Sequence, residues 1–328
     1  MRHPTRRLTL RAGCAGALAC SLLPDGRAQP RFPERPITLL VPFAPAGIAD
    51  LTARAVAEHM ARTLGVAVVV ENRPSAGSIV ASQAVASARP DGHTLLLMSN
   101  ANAVSVGLFR RLPYDPLRDF APVSTIGFFD LGIFAPAASR FATLADALAW
   151  ARAHPGKLNV GTIAPGSTQH LAAKLFETEA RIDTLVVPYK GSPAVLTALR
   201  AGEIDLAFEV TGPMLPQVTA GVVKALAVTS AQRNPALPEV PTVQQSGVPG
   251  YDVASWNAIA APAGTPGEVV AALNRAVREA VVSASVRDKL GRAGMRLAAS
   301  TPAELQALLA GEIRRWGEVI RAAKIEPE

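Results

Sequence analysis

Four times in this chain an apolar, β-branched run breaks into an elbow of Gly, Pro and Ser and then becomes an amphipathic helix. The junctions are Val41-Pro42-Phe43-Ala44-Pro45-Ala46-Gly47-Ile48-Ala49-Asp50, Glu71-Asn72-Arg73-Pro74-Ser75-Ala76-Gly77-Ser78, Gly161-Thr162-Ile163-Ala164-Pro165-Gly166-Ser167 and Pro188-Tyr189-Lys190-Gly191-Ser192. Each leaves the first N–H groups of a helix without intrahelical partners and points the positive end of the helix dipole past the carboxyl end of a strand. The space beyond those strand ends therefore suits an anion.

Hydrophobic periodicity fills in the rest. Runs at 37–43, 66–70 and 94–98 read as buried strands, with helices at 50–64 and 79–88; Leu51, Ala55, Val56 and Met60 recur at helical spacing. Strict alternation of this kind gives a mainly parallel sheet flanked by helices. The pattern restarts after Phe141, where helices at 144–153, 168–179, 193–201 and 213–220 interleave with strands at 158–162, 184–187, 205–208 and 223–229. Two further extended stretches, 120–134 and 253–260, read as crossings between the units. The middle unit, 132–252, is then an insertion into a first lobe made of 29–131 plus 253–328. The tail from Pro266 reads as helical, with Thr301-Pro302-Ala303-Glu304 as a helix start. In such folds small molecules bind beyond the carboxyl ends of strands, here in a cleft between the two units.

The first 28 residues stand apart. Arg2, Arg6, Arg7 and Arg11 precede a short apolar stretch at 12–23, and Gly26-Arg27-Ala28 forms a small-residue cleavage site. This is an export signal too short to span a bilayer, and its arginines fit either a Sec or a twin-arginine route. Both cysteines, Cys14 and Cys20, lie within it, so the exported chain has no disulfide, thiolate metal site or Cys nucleophile. Cys20 also loosely resembles a lipoprotein cleavage box, which leaves lipidation as a minor alternative. The leader holds five arginines and one aspartate, so the net charge falls from +7 to about +3 on its removal. With only 5% aromatic residues and no basic stripe, the chain is not built to bind nucleic acid.

Several residues could carry the site. Asp50 reads as an N-cap or as the receiver of a ligand ammonium or hydroxyl. Ala46 and Gly47 allow close backbone approach, and Gly47 is a candidate for positive φ. Gly77 and Ser78 repeat that arrangement at the second helix, while Ser167 can cap the third helix or contact a ligand oxygen. Ser99, after the third strand, joins them. Arg73 and Lys190 are either direct charge partners or solvated. Glu209 emerges at the same sheet edge, where it is solvated or faces a ligand donor, and Phe43 and Trp256 are wall candidates. His170, three residues after Ser167, permits a serine-hydrolase reading, although no Gly-x-Ser-x-Gly elbow surrounds Ser167 and capping explains the spacing more simply. His59, His93 and His154 are isolated, which disfavours a transition metal. No phosphate loop or dinucleotide turn is present, so no cofactor is expected.

The ordered blocks Arg35-Pro36-Ile37, Val41-Pro42-Phe43 with Gly47 and Asp50, Val70-Glu71-Asn72-Arg73-Pro74 with Ala76-Gly77, Pro90-Asp91-Gly92, Leu112-Pro113-Tyr114-Asp115-Pro116, Asp119-Phe120-Ala121-Pro122-Val123, Val187-Pro188-Tyr189-Lys190-Gly191 and Ala261-Pro262-Ala263-Gly264-Thr265-Pro266 resemble the substrate-binding proteins of tripartite tricarboxylate transporters, the Bug family. The resemblance implies a class II-like, two-lobed periplasmic binding protein that is not an enzyme. It would close on a small carboxylic acid, whether a di- or tricarboxylate, an aromatic acid or an acidic amino acid, and deliver it to a membrane permease, or present it to a membrane sensor. It also implies a monomer whose ligand is held by backbone amides of Ala46, Gly47, Ile48, Ala49 and Asp50 and by Gly77 and Ser78, with Ser167, His170 and Glu209 opposite. The family's first loop commonly reads Pro-Phe-Pro-Pro-Gly-Gly; here Ala44 and Ala46 stand in place of a proline and a glycine, so the acid's size or pose is expected to differ.

Overall fold

The strand Ile37–Val41 (β1) sends Ile37, Leu39 and Val41 into one apolar core and Leu40 into another, because successive side chains of a strand point to opposite faces. Thr94–Ser99 (β3) does the same, with Leu95 and Leu97 on one side and Leu96 and Met98 on the other. A strand that buries both faces needs helices on both, and the chain supplies them. The computed structural model describes residues 32–45, 47–163, 165 and 167–327. The leader, its cleavage site and both cysteines lie outside the described residues, as does Ala46.

In the first sheet β1 pairs in parallel with Val68–Asn72 (β2) and with β3. Helix Ile48–Leu64 (α1) follows β1, a short 3-10 turn Ala76–Ser78 and helix Ile79–Ala86 (α2) follow β2, and helix Asn100–Leu108 (α3) follows β3. A 17-residue strand, Phe120–Pro136 (β4), then runs through both halves of the molecule. Beyond it come helix Leu144–Ala153 (α4), strand Leu158–Ile163 (β5), helix Thr168–Ala180 (α5), strand Thr184–Tyr189 (β6), helix Ser192–Ala201 (α6), strand Leu206–Val210 (β7), helix Thr211–Thr219 (α7) and strand Val223–Val228 (β8). The return strand Ala254–Pro262 (β9) leads to helices Gly267–Val282 (α8) and Ala284–Arg292 (α9), strand Met295–Leu297 (β10) and helix Pro302–Ala322 (α10).

The strand order is β2-β1-β3-β9-β4-β7-β5-β6, with β10 and β8 also on β4. Among the named strands, parallel pairing is confined to β2-β1-β3 on one side and β7-β5-β6 on the other; β4 and β9 pair antiparallel throughout. The partners of β4 change between Asp130, the last residue paired with β9, and Leu131, the first paired with β7. The short loops after β1, β2, β3 and β5 consequently gather near the place where β4 and β9 cross. Helix α3 and strand β10 have no counterpart in the periodicity reading. Polar Asn100, Asn102 and Ser105 are buried on α3, so its apolar spacing is weak, and β10 is only three residues long.

The helix start at Thr301 is as the sequence suggests. Thr301 Oγ1 accepts from the Glu304 N–H at 3.2 Å and Glu304 Oε2 accepts from the Thr301 N–H at 2.7 Å, a reciprocal capping box. No helix among the described residues is long and apolar enough to cross a membrane.

Candidate functional site

A cavity of about 260 Å³ opens where these loops meet. Phe43, Gly47, Ile48 and Ala49 form one wall and Ser99 and Ala101 a second. Ile163, Ser167, Thr168, Gln169 and Val210 face them from the other half of the molecule, and Phe129, Ser255 and Asn257 of the β4–β9 ribbon close the back. A second cavity, of about 300 Å³, shares the walls at Phe43, Ala101 and Ser167 and extends past Gly77 and Ser78 to Leu108, Phe109 and Ile325. Among the described residues lining either cavity there is no lysine, arginine or histidine.

Helices α1, α3 and α5 start at this place, and the cap residue of α7, Val210, also lines the wall. Helix α1 begins at Gly47 with no side-chain cap, and its first backbone bond is Leu51 N–H to Gly47 C=O at 2.9 Å. The N–H groups of Ile48 and Ala49 therefore precede the ladder, on residues that line the cavity. Helix α3 is capped by Ser99, whose Oγ accepts from the Ala101 N–H at 3.2 Å, while Asn102 Oδ1 accepts from the Ser99 N–H at 3.0 Å. Helix α5 starts at Ser167, whose Oγ accepts from the backbone N–H of His170 at 3.1 Å. The dipoles of α1, α3 and α5 thus present their positive ends to one shared space.

Two expectations for the first elbow need correction. Gly47 has φ −81° and ψ 173°, the extended conformation normal for a residue that opens a helix, and not positive φ. Asp50 is not the cap, because the helix starts three residues earlier. Its buried carboxylate instead accepts from Arg54 Nε at 3.0 Å and Asn72 Nδ2 at 2.9 Å. Asn72 Nδ2 also lies 3.0 Å from Phe43 C=O. Asp50, Arg54 and Asn72 form a clamp that fixes the Phe43 loop against β2.

Positive φ falls at the second elbow, on Gly77 (59°) and on Ser78 (62°). At Gly77 no side chain would fit, since a Cβ would lie 2.4 Å from Phe109 Cε2 and 2.7 Å from Ser105 Oγ. Ser78 holds a left-handed conformation that costs a non-glycine residue energy. Its Oγ is buried, lines the second cavity and has no hydrogen-bond partner among the described residues. Arg73 is paired with Glu71 at 2.7 Å.

Glu209, 1% exposed, lies behind the cavity wall. Burial pushes its carboxyl above the ordinary range, against the pull of Ser192 Oγ, Val210 N–H and Gln169 Nε2, which reach Oε2 at 2.8, 3.2 and 3.5 Å. A solvated Glu209 is therefore ruled out. The fourth elbow lines neither cavity; it reaches the site through Tyr189, which pairs with the cavity-lining Ile163, and through the chain from Ser192 to Glu209 to the cavity-lining Gln169. His170 is also buried, its imidazole held below its ordinary range mainly by desolvation and then by Lys174; neither it, Asp50 nor Glu209 is among the residues lining the two cavities. Trp256 belongs to the far side of the ribbon.

Among the described residues Asn100 bonds directly across the cleft: its Nδ2 donates to Thr168 Oγ1 at 3.1 Å, and its Oδ1 accepts from Trp316 Nε1 at 2.8 Å. Asn257, 1% exposed, donates to Trp256 C=O but leaves its Oδ1 unpaired among the described residues. The sequence reading missed Asn100, Thr168, Gln169, Ser255 and Asn257. Ser99-Asn100-Ala101-Asn102 carries a cap-and-reply spacing that marks α3, and a lone asparagine inside the apolar run of β9 is a visible anomaly. No group of three or more His, Cys, Asp or Glu among the described residues is placed to hold a metal.

Residues 52–325 match the family described as the tripartite tricarboxylate transporter family receptor. Among solved structures, the periplasmic binding protein BugD is 31% identical, with TM-score 0.78, covering 90% of this chain and 100% of its own. Rpa4515 of R. palustris, solved with adipate, is 35% identical, with TM-score 0.80 and the same coverage. MatC of Rhodopseudomonas palustris, solved with bound malate, is 34% identical, with TM-score 0.75, covering 88% of this chain and 100% of its own. These proteins share the two-lobed α/β architecture, and their family is one of binding receptors, which closes the hydrolase reading of Ser167 and His170. The chain belongs to the tripartite tricarboxylate transporter family of receptors.

Proposed function

We infer that this protein is exported to the periplasm, captures a small carboxylic acid by closure of its two lobes, and delivers it to the membrane permease of a tripartite tricarboxylate-type transporter. The single observation that carries this reading is the convergence of the α1, α3 and α5 starts on a cavity with no cationic side chain among the described residues that line it. A carboxylate there is held by main-chain N–H groups and hydroxyls, notably at Gly47 to Ala49 and Ser167. The lobes are taken as 29–131 plus 253–328 and 132–252, a division supported by the change of β4 partners after Asp130.

Lining chemistry narrows the acid. Phe43, Phe129, Ile163 and Val210 surround the first cavity, and Leu108 and Phe109 the second, so the body of the ligand is apolar. Without an arginine or lysine to balance further charge, a tricarboxylate is poorly served. A mono- or dicarboxylate with an aliphatic or aromatic span fits best, in line with the adipate held by Rpa4515; the Ser78 hydroxyl then donates to its far end, and Asn257 Oδ1 accepts from a ligand hydroxyl.

The test is a thermal-shift panel of linear dicarboxylates, hydroxy acids, aromatic acids and citrate on protein refolded to remove carried-over ligand. Linkage requires the bound acid to raise Tm, with adipate-like acids ahead of citrate. No shift with any acid would sink the reading, and citrate ranking first would sink the substrate class.

A further inference from the structure

The ribbon of β4 and β9 has two faces, and only one belongs to the cleft. In its register Phe129 opposes Ser255, whereas Phe128 opposes Trp256 and Asp130 opposes Ala254; alternation puts the last four side chains together on the far face. Phe129 and Ser255 line the interlobe cavity. Phe128, Asp130, Ala254 and Trp256 line a separate cavity of about 330 Å³ that shares no wall with the other two.

Two polar groups in this wall lack partners among the described residues: Asp130 Oδ1 and Trp256 Nε1. Their residues are 5% and 1% exposed. A buried acceptor and a buried donor left unpaired on one sheet face mark a place where a bound molecule can complete the bonding. Asp130 and Trp256 are diagonal neighbours on that face, their backbone positions about 7–8 Å apart, so a short ligand in the cavity can reach both residues. The carboxylate of Asp130 is fixed in place by Asn234 Nδ2, 3.1 Å from its other oxygen, and by the side chain of Ser230.

The remaining charges balance. Arg233, Arg296 and Arg315 face Asp130, Asp252 and Glu312 around the cavity. Arg296 is set over the Phe128 ring, 4.9 Å from its centroid. Arg315 is positioned by Glu312 at 3.6 Å and by the main-chain carbonyl of Asp252. A lone anion or a lone cation would meet like charge on half of this wall. A molecule with both poles would pair with both halves and leave the cavity neutral.

The geometry points to a second binding site in this cavity for a small zwitterion of the α-amino acid class, its ammonium on Asp130 and its carboxylate on Trp256 Nε1 and the arginines. This site is independent of the carboxylate reading of the cleft, because it lies on the opposite face of the ribbon.

Calorimetric titration of the purified protein, its cleft first saturated with the best acid of the thermal-shift panel, with the proteinogenic amino acids, and with acetate and methylammonium as single-pole controls, tests it. Saturable binding of an amino acid at one per chain, with neither control binding, is expected. Loss of a charge-assisted bond in Asp130→Asn should weaken that binding at least about tenfold. Trp256→Phe, which keeps the ring volume, should weaken it as well. Both variants should retain the wild-type response to whichever acid fills the cleft, which shows that they fold. The site is refuted if no amino acid binds the wild-type protein, if a control binds as well as the amino acids, or if binding survives undiminished in both variants.

Discussion

Helices α4 and α10 on the one hand and α1 on the other begin in opposite ways. At α4 Thr143 Oγ1 accepts from the Asp146 N–H at 3.2 Å and Asp146 Oδ2 accepts from the Thr143 N–H at 2.8 Å; α10 repeats this with Thr301 and Glu304. Those backbone bonds hold both carboxyls below their ordinary range. Helix α1, facing the cleft, has glycine at the cap and no side-chain bond. The outward starts of α4 and α10 satisfy themselves, whereas α1 keeps its first donors facing the cavity; α6 and α8 also lack a side-chain cap, so what sets α1 apart from them is the missing cap together with its place on the cavity wall. Between these extremes, α3 and α5 use one serine hydroxyl each and leave the rest of the first turn open.

The sharpest way to break this comparison is to give α1 the cap it lacks. Gly47→Asp is sterically mild, because φ there is ordinary and a Cβ would meet nothing closer than Ala44 C=O at 3.8 Å. The variant should keep or raise its Tm, yet lose affinity for the bound acid on the order of 100-fold, through occupied donors and like-charge repulsion. Titration of the best acid from the thermal-shift panel decides it; wild-type affinity in Gly47→Asp would mean that α1 does not hold the anion.

Next in size is Asn100→Ala, which removes the bond across the cleft to Thr168 and leaves the Trp316 Nε1 with Glu312 Oε2, 2.7 Å away, as a remaining acceptor. Its expected cost to acid binding is about 1 kcal/mol, or roughly fivefold in affinity. The increase should appear in the dissociation rate if the bond forms as the lobes close; an unchanged rate would separate Asn100 from closure. Thr301→Ala is the reverse control: stability should fall by about 1 kcal/mol in chemical denaturation while acid affinity stays put. A loss of affinity there would show that outward caps are not independent of the cleft.

The smallest effect is a pH slope. Glu209 has a carboxyl raised by burial, so the folded chain binds its proton more tightly than the unfolded chain does. Stability from this group is present at low pH and declines as pH rises from the ordinary glutamate range through the raised folded value. Glu209→Gln should flatten that decline, giving a Tm advantage over wild type at neutral pH that vanishes in acid. Parallel melting curves against pH would show an unchanged slope if Glu209 were ionised without penalty.

How much of the site was legible in residues follows from range. Gly77 and Ser167 announced themselves because a left-handed turn and a helix cap are local requirements, decided within a few bonds. Helix α4 appears at 144–153 as its spacing predicts, because its apolar face is continuous. Asp50 was misread since Gly-Ile-Ala-Asp offers two plausible caps, and only its partner Asn72, 22 residues away, draws the carboxylate into a clamp. Ser255 and Asn257 were invisible as cleft residues. Which face of β9 they share depends on its pairing with β4, more than 120 positions earlier in the chain, and no local pattern encodes that.

By itself the sequence determined that strands alternate with helices in two runs, that glycine, proline and serine mark the strand-to-helix elbows, and that the chain carries the ordered blocks of a receptor family. These are consequences of periodicity and of backbone preferences within a single turn. Tertiary structure alone decided which helix starts share one cavity, that Glu209 is buried behind it, and that the β4–β9 ribbon puts a second, charge-balanced cavity on its opposite face. Each of those depends on long-range register, where a shift of one residue along a strand would exchange the two faces.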